Sequence, residues 1–335
     1  MTARRLSLRA LSRPQYVLIW LLLVLVVAFS LVGRASQSFR ALDNFLEILR
    51  SSGITAIMVL GLTWIVAIGE MDVSFASVAA LVSMVTAYLA VKLGVPIGLA
   101  LLAAFAGGTL LGLLNGVMAA YVRIPSLIGT IATGSVATAI AKILGGGKPL
   151  PIATGGSSLV YAFVYGSVAG IPTLFLVTVI IYLVSAYLQD QTTMGQHLYA
   201  LGENRTASRE AGIQEARILL GYFVLCSAMA SLAGVLATAQ LGSGVSELGG
   251  GAMTIQGFTA VFLGAMVVKA GKPNVIGTGI GVVLLTVLMN WITLMGLQTY
   301  IVWLARGALL LIGVAMVGLS GSRRRGQAAA AMARE

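Results

Sequence analysis

Long apolar stretches recur along almost the entire chain and are separated by short polar segments. Within each stretch the residues are continuously apolar, without the alternation that is typical of barrel strands. An α-helix needs about 20 mostly apolar residues to cross the hydrocarbon core of a bilayer. The pattern therefore predicts an all-α, polytopic membrane protein. Its ten predicted spans are Val17–Leu31, Gly53–Ile68, Ser74–Val91, Ile97–Tyr121, Ser126–Leu144, Pro172–Leu188, Ile218–Ala239, Thr254–Val268, Val275–Ile292 and Tyr300–Leu319.

Basic residues predict which side of the membrane each polar segment faces. Lys and Arg are enriched in cytoplasmic segments, and an even number of spans puts both termini on the same side. If the termini are cytoplasmic, 14 of the 21 basic residues fall in cytoplasmic segments. These are Arg4, Arg5, Arg9, Arg13, Arg123, Arg205, Arg209, Arg217, Lys269, Lys272, Arg323, Arg324, Arg325 and Arg334. Both termini are therefore predicted to be cytoplasmic.

A single transmembrane domain is predicted over residues 1–335, with three cytoplasmic parts. They are an N-terminal tail at 1–16, a loop at 189–217 and a C-terminal tail at 320–335. Val17–Leu31 is longer than the usual apolar region of a signal peptide, so we interpret it as a retained anchor. Phe39–Leu49 mixes apolar and charged residues, which predicts a short helix at the outer interface.

Composition narrows the classes of function. Hydrophobic residues make up 59% of the chain, charged residues only 9%, and the mean hydropathy is +0.99. The net charge of +11 is the ordinary result of basic residues that flank membrane helices, so no nucleic acid is expected as a partner. The single Cys226 and the single His197 offer neither a disulfide nor a metal centre. Because the chain has no GxxxxGK[ST] motif, ATP-driven work would need a partner.

Glycines recur at the spacing of helix packing. Gly108, Gly112 and Gly116 follow one another every four residues, and Gly277 with Gly281 repeats the interval. Small residues on one face let helix backbones approach closely in a membrane. The sequence thus predicts a compact helical bundle.

Polar side chains at membrane depth are costly unless they have partners, which makes them candidates for a translocation path or for helix packing. The candidates are Asp72, Ser74, Asn115, Thr130 and Asn290. Asp72, placed like an N-cap, fits either a helix cap or, with Glu70, a cation or proton site, and capping is the favoured interpretation. For Asn115 and Asn290, hydrogen bonds between helices are favoured over a place on an aqueous path.

A charged segment interrupts the apolar pattern between residues 194 and 217 and must lie outside the lipid. It contains Glu203, Arg205, Arg209, Glu210, Glu215 and Arg217. We interpret it as a docking surface for a partner, and the alternative is a solvated loop. The outer segment around Glu247 is a second candidate for contact with an external partner.

Four motifs resemble those of the inner-membrane permeases of ribose-type ABC importers, in the same order. GEMDVSFASVAAL (69–81) is similar to the family's GGIDLSVGSxxAL, and LLNGVMAAYVRIPSLIGTIATGSV (113–136) to LxNGxxxxxxxIPxFIxTLGTM. GQHLYALGENRTASREAGI (195–213) resembles GRxxYAxGxNxxAAxxSGI, and VLMNWITLMGL (287–297) resembles xxxNxxxLxGx. Glu70 and Ala76 stand where the first family pattern has glycines.

The resemblance implies that the third motif is the loop that docks into an ATPase subunit, a role taken in such importers by an EAAxxxG segment. The implied docking residues are Gly195, Asn204, Arg205, Ala207, Ser208, Arg209, Glu210 and Gly212. Ala207 and Ser208 are small enough for close helix approach, and Gly212 can end a helix in the left-handed conformation. Arg205, Arg209 and Glu210 can form charge-assisted hydrogen bonds.

The same resemblance implies a non-enzymatic permease subunit that imports a sugar or polyol across the inner membrane by alternating access. It implies two ATPase subunits, which supply the ATP and magnesium site, a periplasmic sugar-binding protein, and a second identical or similar permease within the lipid bilayer. A different class remains as the alternative, an ion-coupled secondary transporter that uses Glu70 and Asp72. The chain has no convincing internal repeat of the kind common in that class.

The predicted topology can be tested by single-cysteine labelling in a background that lacks Cys226. Cysteines in place of Asn204 and Arg325 should react only with reagent supplied from the cytoplasm. A cysteine in place of Gly155 should react only from outside. The chain changes sides at every span, so the cytoplasmic position of the termini also determines the side on which residue 155 lies. Reaction of position 204 with an impermeant reagent from outside would contradict the orientation.

Overall fold

The computed structural model describes residues 16–31, 33–152, 163–269 and 271–332, and each predicted apolar stretch contains a helix. The α-helices are α1 (Val17–Leu31), α2 (Ser36–Arg40), α3 (Leu42–Ala67), α4 (Phe75–Lys92), α5 (Ile97–Val117), α6 (Ser126–Gly145), α7 (Thr173–Gln191), α8 (Thr193–Glu203), α9 (Arg205–Glu210), α10 (Glu215–Leu241), α11 (Gly251–Gly264), α12 (Val275–Leu294) and α13 (Thr299–Met332). A π-helix, Met118–Val122, extends α5, and a 3-10 helix occupies Ser246–Gly249.

Two small antiparallel pairs of strands complete the described structure. Strand β1 (Leu150–Pro151) pairs with β4 (Ser243–Gly244), and β2 (Ser167–Val168) pairs with β3 (Ile171–Pro172). The all-α prediction is confirmed, because these pairs are only two residues long and join loops rather than forming a layer of the fold.

Eight of the described helices are long and apolar enough to cross a membrane, which confirms a polytopic membrane protein. The two other predicted spans are shorter helices, α1 with 15 residues and α11 with 14. Helix α11 ends at Gly264 rather than continuing to Val268, because the chain there folds into turns and Val268 has a φ of +63°. The count of ten spans stays a prediction.

The segment predicted as an interfacial helix, Phe39–Leu49, is instead divided between two helices. Helix α2 ends at Arg40, the backbone is extended at Ala41, and α3 then runs for 26 residues from Leu42. The prediction is wrong because most of the segment belongs to the long helix α3 and part of it packs inward, although Leu42 and Phe45 stay exposed. Phe39 and Ile48 are buried in a cluster with Phe29 and Val287.

Helix α10 lies at the centre of the bundle, where α3, α4 and α5 pack against it. The predicted glycine contacts are confirmed here. A Cβ atom on Gly112 would lie 2.6 Å from the carbonyl oxygen of Phe223, and one on Gly116 would lie 3.0 Å from the Cα of Leu220. Gly108 faces Ser231 on the same helix. Since such distances leave no room for a side chain, the glycines permit the close packing.

Helices α11 and α12 pack in the same way. A Cβ atom on Gly281 would lie 2.5 Å from the carbonyl oxygen of Ala260, and Gly277 lies directly against the backbone of Gly264. Helix α12 begins at Val275, where the Asn274 side chain accepts a hydrogen bond of 2.8 Å from the N–H of Gly277. The cap and the close approach together fix where α12 starts.

The described loops collect at two opposite ends of the bundle, as an alternating path predicts. We call the end that holds 68–74, 123–125, 192–214, 265–269 and 271–274 the inner end, after the predicted orientation. Ion pairs join these loops to one another. The outer end holds 33–41, 146–152 and 242–250, where β1 pairs with β4. Residues 1–15, Gly155 and Arg334 lie outside the described residues.

Candidate functional site

Helix α9 is a short, firmly capped helix at the inner end. The side-chain oxygen of Asn204 accepts a hydrogen bond of 3.1 Å from the N–H of Ala207, which caps the first turn. At the other end Gly212 has a φ of +83°. The N–H of Gly212 bonds to the oxygen of Arg209 at 2.9 Å, and that of Ile213 to Ser208 at 3.0 Å. This is a Schellman motif, so the predicted left-handed end at Gly212 is confirmed.

One arginine fastens α9 to the bundle. Arg205 forms an ion pair with Glu70, in the loop before α4, and a second with Glu215 at 3.4 Å, in the first turn of α10. The two carboxylate side chains are only 14% and 13% exposed. Because both carboxylates are largely shielded from water, their attraction to the guanidinium is screened less than at an open surface.

The opposite face of α9 is open to solvent. Thr206, Ala207, Arg209 and Glu210 are exposed, whereas Ser208 is buried and its hydroxyl donates to the oxygen of Asn204 at 2.8 Å. The helix therefore presents one small side chain and two charges of opposite sign while its inner face is anchored.

Arg209 is exposed, yet it has a local partner. Its guanidinium donates to a carboxylate oxygen of Glu215. That hydrogen bond, and then the charge of Glu215, raise the pKa of Arg209 above its ordinary value. Arg209 is thus held in position as a permanent cation beside Glu210.

The end of α7 and helix α8 are attached to the segments 265–269 and 271–274 by a separate set of contacts. Lys269 pairs with Asp190 and Lys272 with Glu203, and both ammonium groups lie over the ring of Tyr199. The Tyr199 hydroxyl donates to the oxygen of Pro273 at 2.9 Å. Burial, and then the charge of Asp190, raise the pKa of Tyr199, so this hydroxyl remains a donor.

Gly195, another of the predicted docking residues, lies in α8 and is buried. A Cβ atom there would collide with the backbone of Gln189 at the end of α7. Gly195 therefore contacts the protein interior and allows α7 and α8 to pack closely. It does not form part of a surface that a partner could contact.

Sequence reasoning missed the role of Glu70 as an anchor. One of its oxygens accepts from Arg205 and the other from the hydroxyl of Ser126, the first residue of α6. Glu70 thus joins the helix α9 to the beginning of α6. The sequence did show that Glu70 stands where the family pattern has a glycine. That difference did not identify Arg205 as the partner of Glu70.

Three predicted polar residues form one buried network. The Asp72 carboxylate accepts from the N–H and the hydroxyl of Ser74 at 2.8 and 2.6 Å, and Asn115 donates to the Ser74 hydroxyl at 2.9 Å. Thr133 donates to Asn115 at 2.7 Å. Asp72 therefore stabilises the turn before α4, although Ser74, rather than Asp72, directly precedes the first helical residue.

Thr130 lies beside this network and lines a groove of about 490 Å³, which we call the α6 groove and which is formed by both apolar and hydroxyl-bearing residues. Ser77, Ser135, Thr138 and Thr254 also line it. Sequence reasoning missed these residues. Thr130, Gly134, Thr138 and Lys142 follow at intervals of four, which places them on one face of α6 and could have revealed the groove.

Asn290 lies elsewhere, near the outer end. Its amide exchanges two hydrogen bonds of 2.8 and 3.2 Å with the amide of Asn44, which joins α12 to α3. Glu247 is exposed in the 3-10 helix of the outer end and pairs at 3.3 Å with Lys142, one of the groove residues. Among the described residues no three His, Cys, Asp or Glu side chains are grouped to hold a metal ion.

Comparison with known proteins gives consistent matches. Residues 44–318 match the family described as branched-chain amino acid transport system / permease component. The ribose import permease protein of Haemophilus influenzae is 28% identical over 303 residues, which covers 90% of this chain and 93% of that protein. Its counterpart in Escherichia coli K12 is 30% identical over 294 residues, or 88% of this chain and 91% of that protein.

A third similar protein is the autoinducer 2 import system permease protein of Yersinia pestis (strain Pestoides F). It is 27% identical over 279 residues, which covers 83% of this chain and 78% of that protein. No solved structure matches the chain.

Proposed function

Since the chain belongs to the branched-chain amino acid transport system / permease component family, and is the multi-pass inner-membrane permease of an ABC importer, we propose that it carries a sugar or polyol. The observation that carries the proposed mechanism is helix α9, capped at both ends, anchored by Arg205 and exposed on one face. We assign it as the docking helix for an ATPase subunit, which would supply the ATP and magnesium site.

The exposed face of α9 suits insertion into a cleft of a partner. Ala207 leaves the helix surface flat, so a partner can approach closely. Arg209 and Glu210 flank it with a fixed cation and an anion that can form charge-assisted hydrogen bonds. The anchored face transfers any displacement of α9 to the bundle, because Arg205 is tied to both Glu70 and Glu215.

The α6 groove supplies one wall of the proposed translocation path. Its hydroxyl groups both donate and accept hydrogen bonds, as the hydroxyl groups of a sugar or polyol do. Ser135 and Lys142 are exposed at the surface of the protomer, so a second copy, or a similar permease, would supply the other wall. Neutral hydroxyls give weak binding, which allows the substrate to leave.

A chain of contacts connects docking to the groove. Arg205 in α9 holds Glu70, Glu70 accepts from Ser126, and Ser126 begins the helix whose next turn carries Thr130. We assign this chain as the route by which ATPase closure would tilt or shift α6 and alternate the access of the groove.

The outer end would meet a periplasmic binding protein. Glu247 is exposed there beside Lys142, at the side of the groove. The ribose and autoinducer 2 import permeases among the similar proteins support a sugar-like substrate. The ion-coupled secondary transporter is not supported by the family match, and Glu70 is occupied by Arg205 rather than open to a cation.

Gly212→Val tests the docking helix. A β-branched residue at positive φ costs roughly 1–2 kcal/mol locally, and this strain lies outside the bilayer. The variant should reach the membrane in normal amounts but lose uptake and co-purify with less ATPase subunit. Expression, uptake and co-purification are measured together in cells that contain the whole importer.

Gly146→Val is the matched control, because Gly146 also has positive φ with free space around it but ends α6 at the outer end. It should keep its ATPase subunits. Glu210→Lys reverses one docking charge without backbone strain and should also weaken co-purification. Full ATPase retention and normal uptake in both Gly212→Val and Glu210→Lys would show that α9 is not the docking helix.

Glu70→Gln tests the route from α9 to α6. Arg205 keeps its pair with Glu215, so the ATPase should still co-purify. Uptake per ATP hydrolysed should fall about tenfold, since a hydrogen bond to a charged group is worth roughly 1.5–3 kcal/mol. Both quantities are measured on the reconstituted importer in vesicles.

Ser126→Ala breaks the same route at its other end, so adding it to Glu70→Gln should lower the coupling ratio little further. Glu203→Gln is the control, since it removes another inner-end carboxylate that pairs with Lys272. A coupling ratio in Glu70→Gln equal to that of Glu203→Gln would remove Glu70 from the route while leaving the docking assignment intact.

A further inference from the structure

A basic cleft of about 670 Å³ opens at the inner end beside α9, and it shares Arg209 with the exposed docking face of that helix. It lies between the π-helix that ends α5, the start of α6 and the first turn of α10. The charged residues that line it are Glu70, Arg123, Arg205, Arg209, Glu215 and Arg217. Four arginines against two glutamates leave an excess of positive charge in a confined space.

The pairing within the cleft divides the arginines into two groups. Glu70 and Glu215 are both engaged, the first by Arg205 and the second by Arg205 and Arg209. In the part of the chain that the structure describes, Arg123 and Arg217 form no ion pair, and both are exposed. These two guanidinium groups are therefore available to an anion from outside the protein.

Arg123 is held in an unusual backbone conformation. Its φ is +63°, in the left-handed region that residues other than glycine rarely occupy. The following N–H, of Ile124, bonds to the oxygen of Met118 at 3.0 Å and closes the π-helix. Strained residues of this kind concentrate at ligand sites, and here the strain places an arginine at the edge of the cleft.

An apolar stripe leads away from the cleft along α5 and its π-helical extension. Leu110, Leu114, Val117 and Tyr121 follow at helical spacing on one face and are 61%, 47%, 37% and 55% exposed. Tyr121 also lines the cleft. At 1.5 Å per residue the stripe extends roughly 16 Å into the bilayer region. The cleft is thus continuous with an exposed apolar surface of about the length of an acyl chain.

We propose that this cleft binds an anionic phospholipid of the cytoplasmic leaflet. The phosphate group would lie between Arg123 and Arg217, and an acyl chain would cover the stripe from Tyr121 to Leu110. Basic pockets between membrane helices on the cytoplasmic side are suited to anionic headgroups, and arginine matches phosphate geometry well. A free phosphate has no apolar part that could contact the stripe. An acidic soluble partner could not contact the stripe either, because the stripe lies in the bilayer region.

The position of the cleft gives this lipid a role in coupling. Arg205 and Arg209 of α9 line the same cleft, so a bound headgroup adds a negative charge beside the residues that anchor and present the docking helix. Occupancy would therefore favour the ordered position of α9, and uptake would depend on the anionic lipid content of the membrane.

The test uses the purified full chain in delipidated detergent micelles, titrated with phosphatidylglycerol or phosphatidylcholine and read by native mass spectrometry. Phosphatidylglycerol should bind the wild type, and Arg123→Gln with Arg217→Gln should weaken that binding about thirtyfold, because each basic residue near an anionic surface contributes roughly fivefold. Phosphatidylcholine binding should be unaffected. Arg123→Lys with Arg217→Lys retains both charges and should retain most of the affinity.

Arg34→Gln with Lys92→Gln is the matched control, since it removes the same charge from exposed residues at the outer end. It should bind phosphatidylglycerol as the wild type does. Equal phosphatidylglycerol binding by the Arg123/Arg217 double glutamine variant and the wild type would overturn the site. Displacement of the lipid by an equal concentration of inorganic phosphate would overturn the lipid assignment and leave a small-anion site. A purified dimer that binds no phosphatidylglycerol in the same titration would likewise overturn the lipid assignment.

Discussion

The inner end of this protein depends on ion pairs that join segments far apart in the chain. Arg205 meets Glu70 across 135 positions, Lys269 meets Asp190 across 79, and Lys272 meets Glu203 across 69. Within the bilayer, helices gain no hydrophobic drive from one another. The loops outside the lipid are in water, where these ion pairs add to the burial of apolar side chains such as Leu198 and Leu201. The pairs fix α8 and α9 against the bundle together with these apolar contacts, and under the proposed mechanism they help to carry the movement of an ATPase to α6.

Within the bilayer the helices are held by close packing rather than by ion pairs, and this packing favours small residues where helices meet. Gly112 and Gly116 bring α5 onto α10, and Gly281 brings α12 onto α11. Many hydroxyl groups in the bundle donate to the carbonyl four residues earlier in the same helix, as the Thr86 hydroxyl does to the oxygen of Val82 in α4 at 2.8 Å. In the α6 groove the Ser135 hydroxyl also donates to such a carbonyl, that of Ile131, but Ser135 and Lys142 remain exposed, which supports the proposed translocation path.

The helices could be predicted because a span leaves a continuous apolar signal, and the end of α9 could be predicted because a left-handed cap favours glycine at Gly212. The partners of polar residues could not. Asn290 pairs with Asn44 from the other end of the chain, and no local pattern relates the two. Glu70 was a candidate for an ion site because the sequence indicates its position relative to the membrane. The sequence does not indicate that Arg205 is its neighbour. The division of Phe39–Leu49 likewise depends on burial against Phe29, a tertiary contact.

Dependence of transport on the partner ATPase is the central claim, and reconstitution measures it directly. Vesicles that contain this chain with its ATPase subunits and binding protein should take up sugar only when ATP is supplied. Vesicles that contain the chain alone should neither hydrolyse ATP nor take up sugar under an imposed proton or sodium gradient, because the sequence has no phosphate-binding loop. Gradient-driven uptake by the chain alone would contradict an ATP-coupled permease.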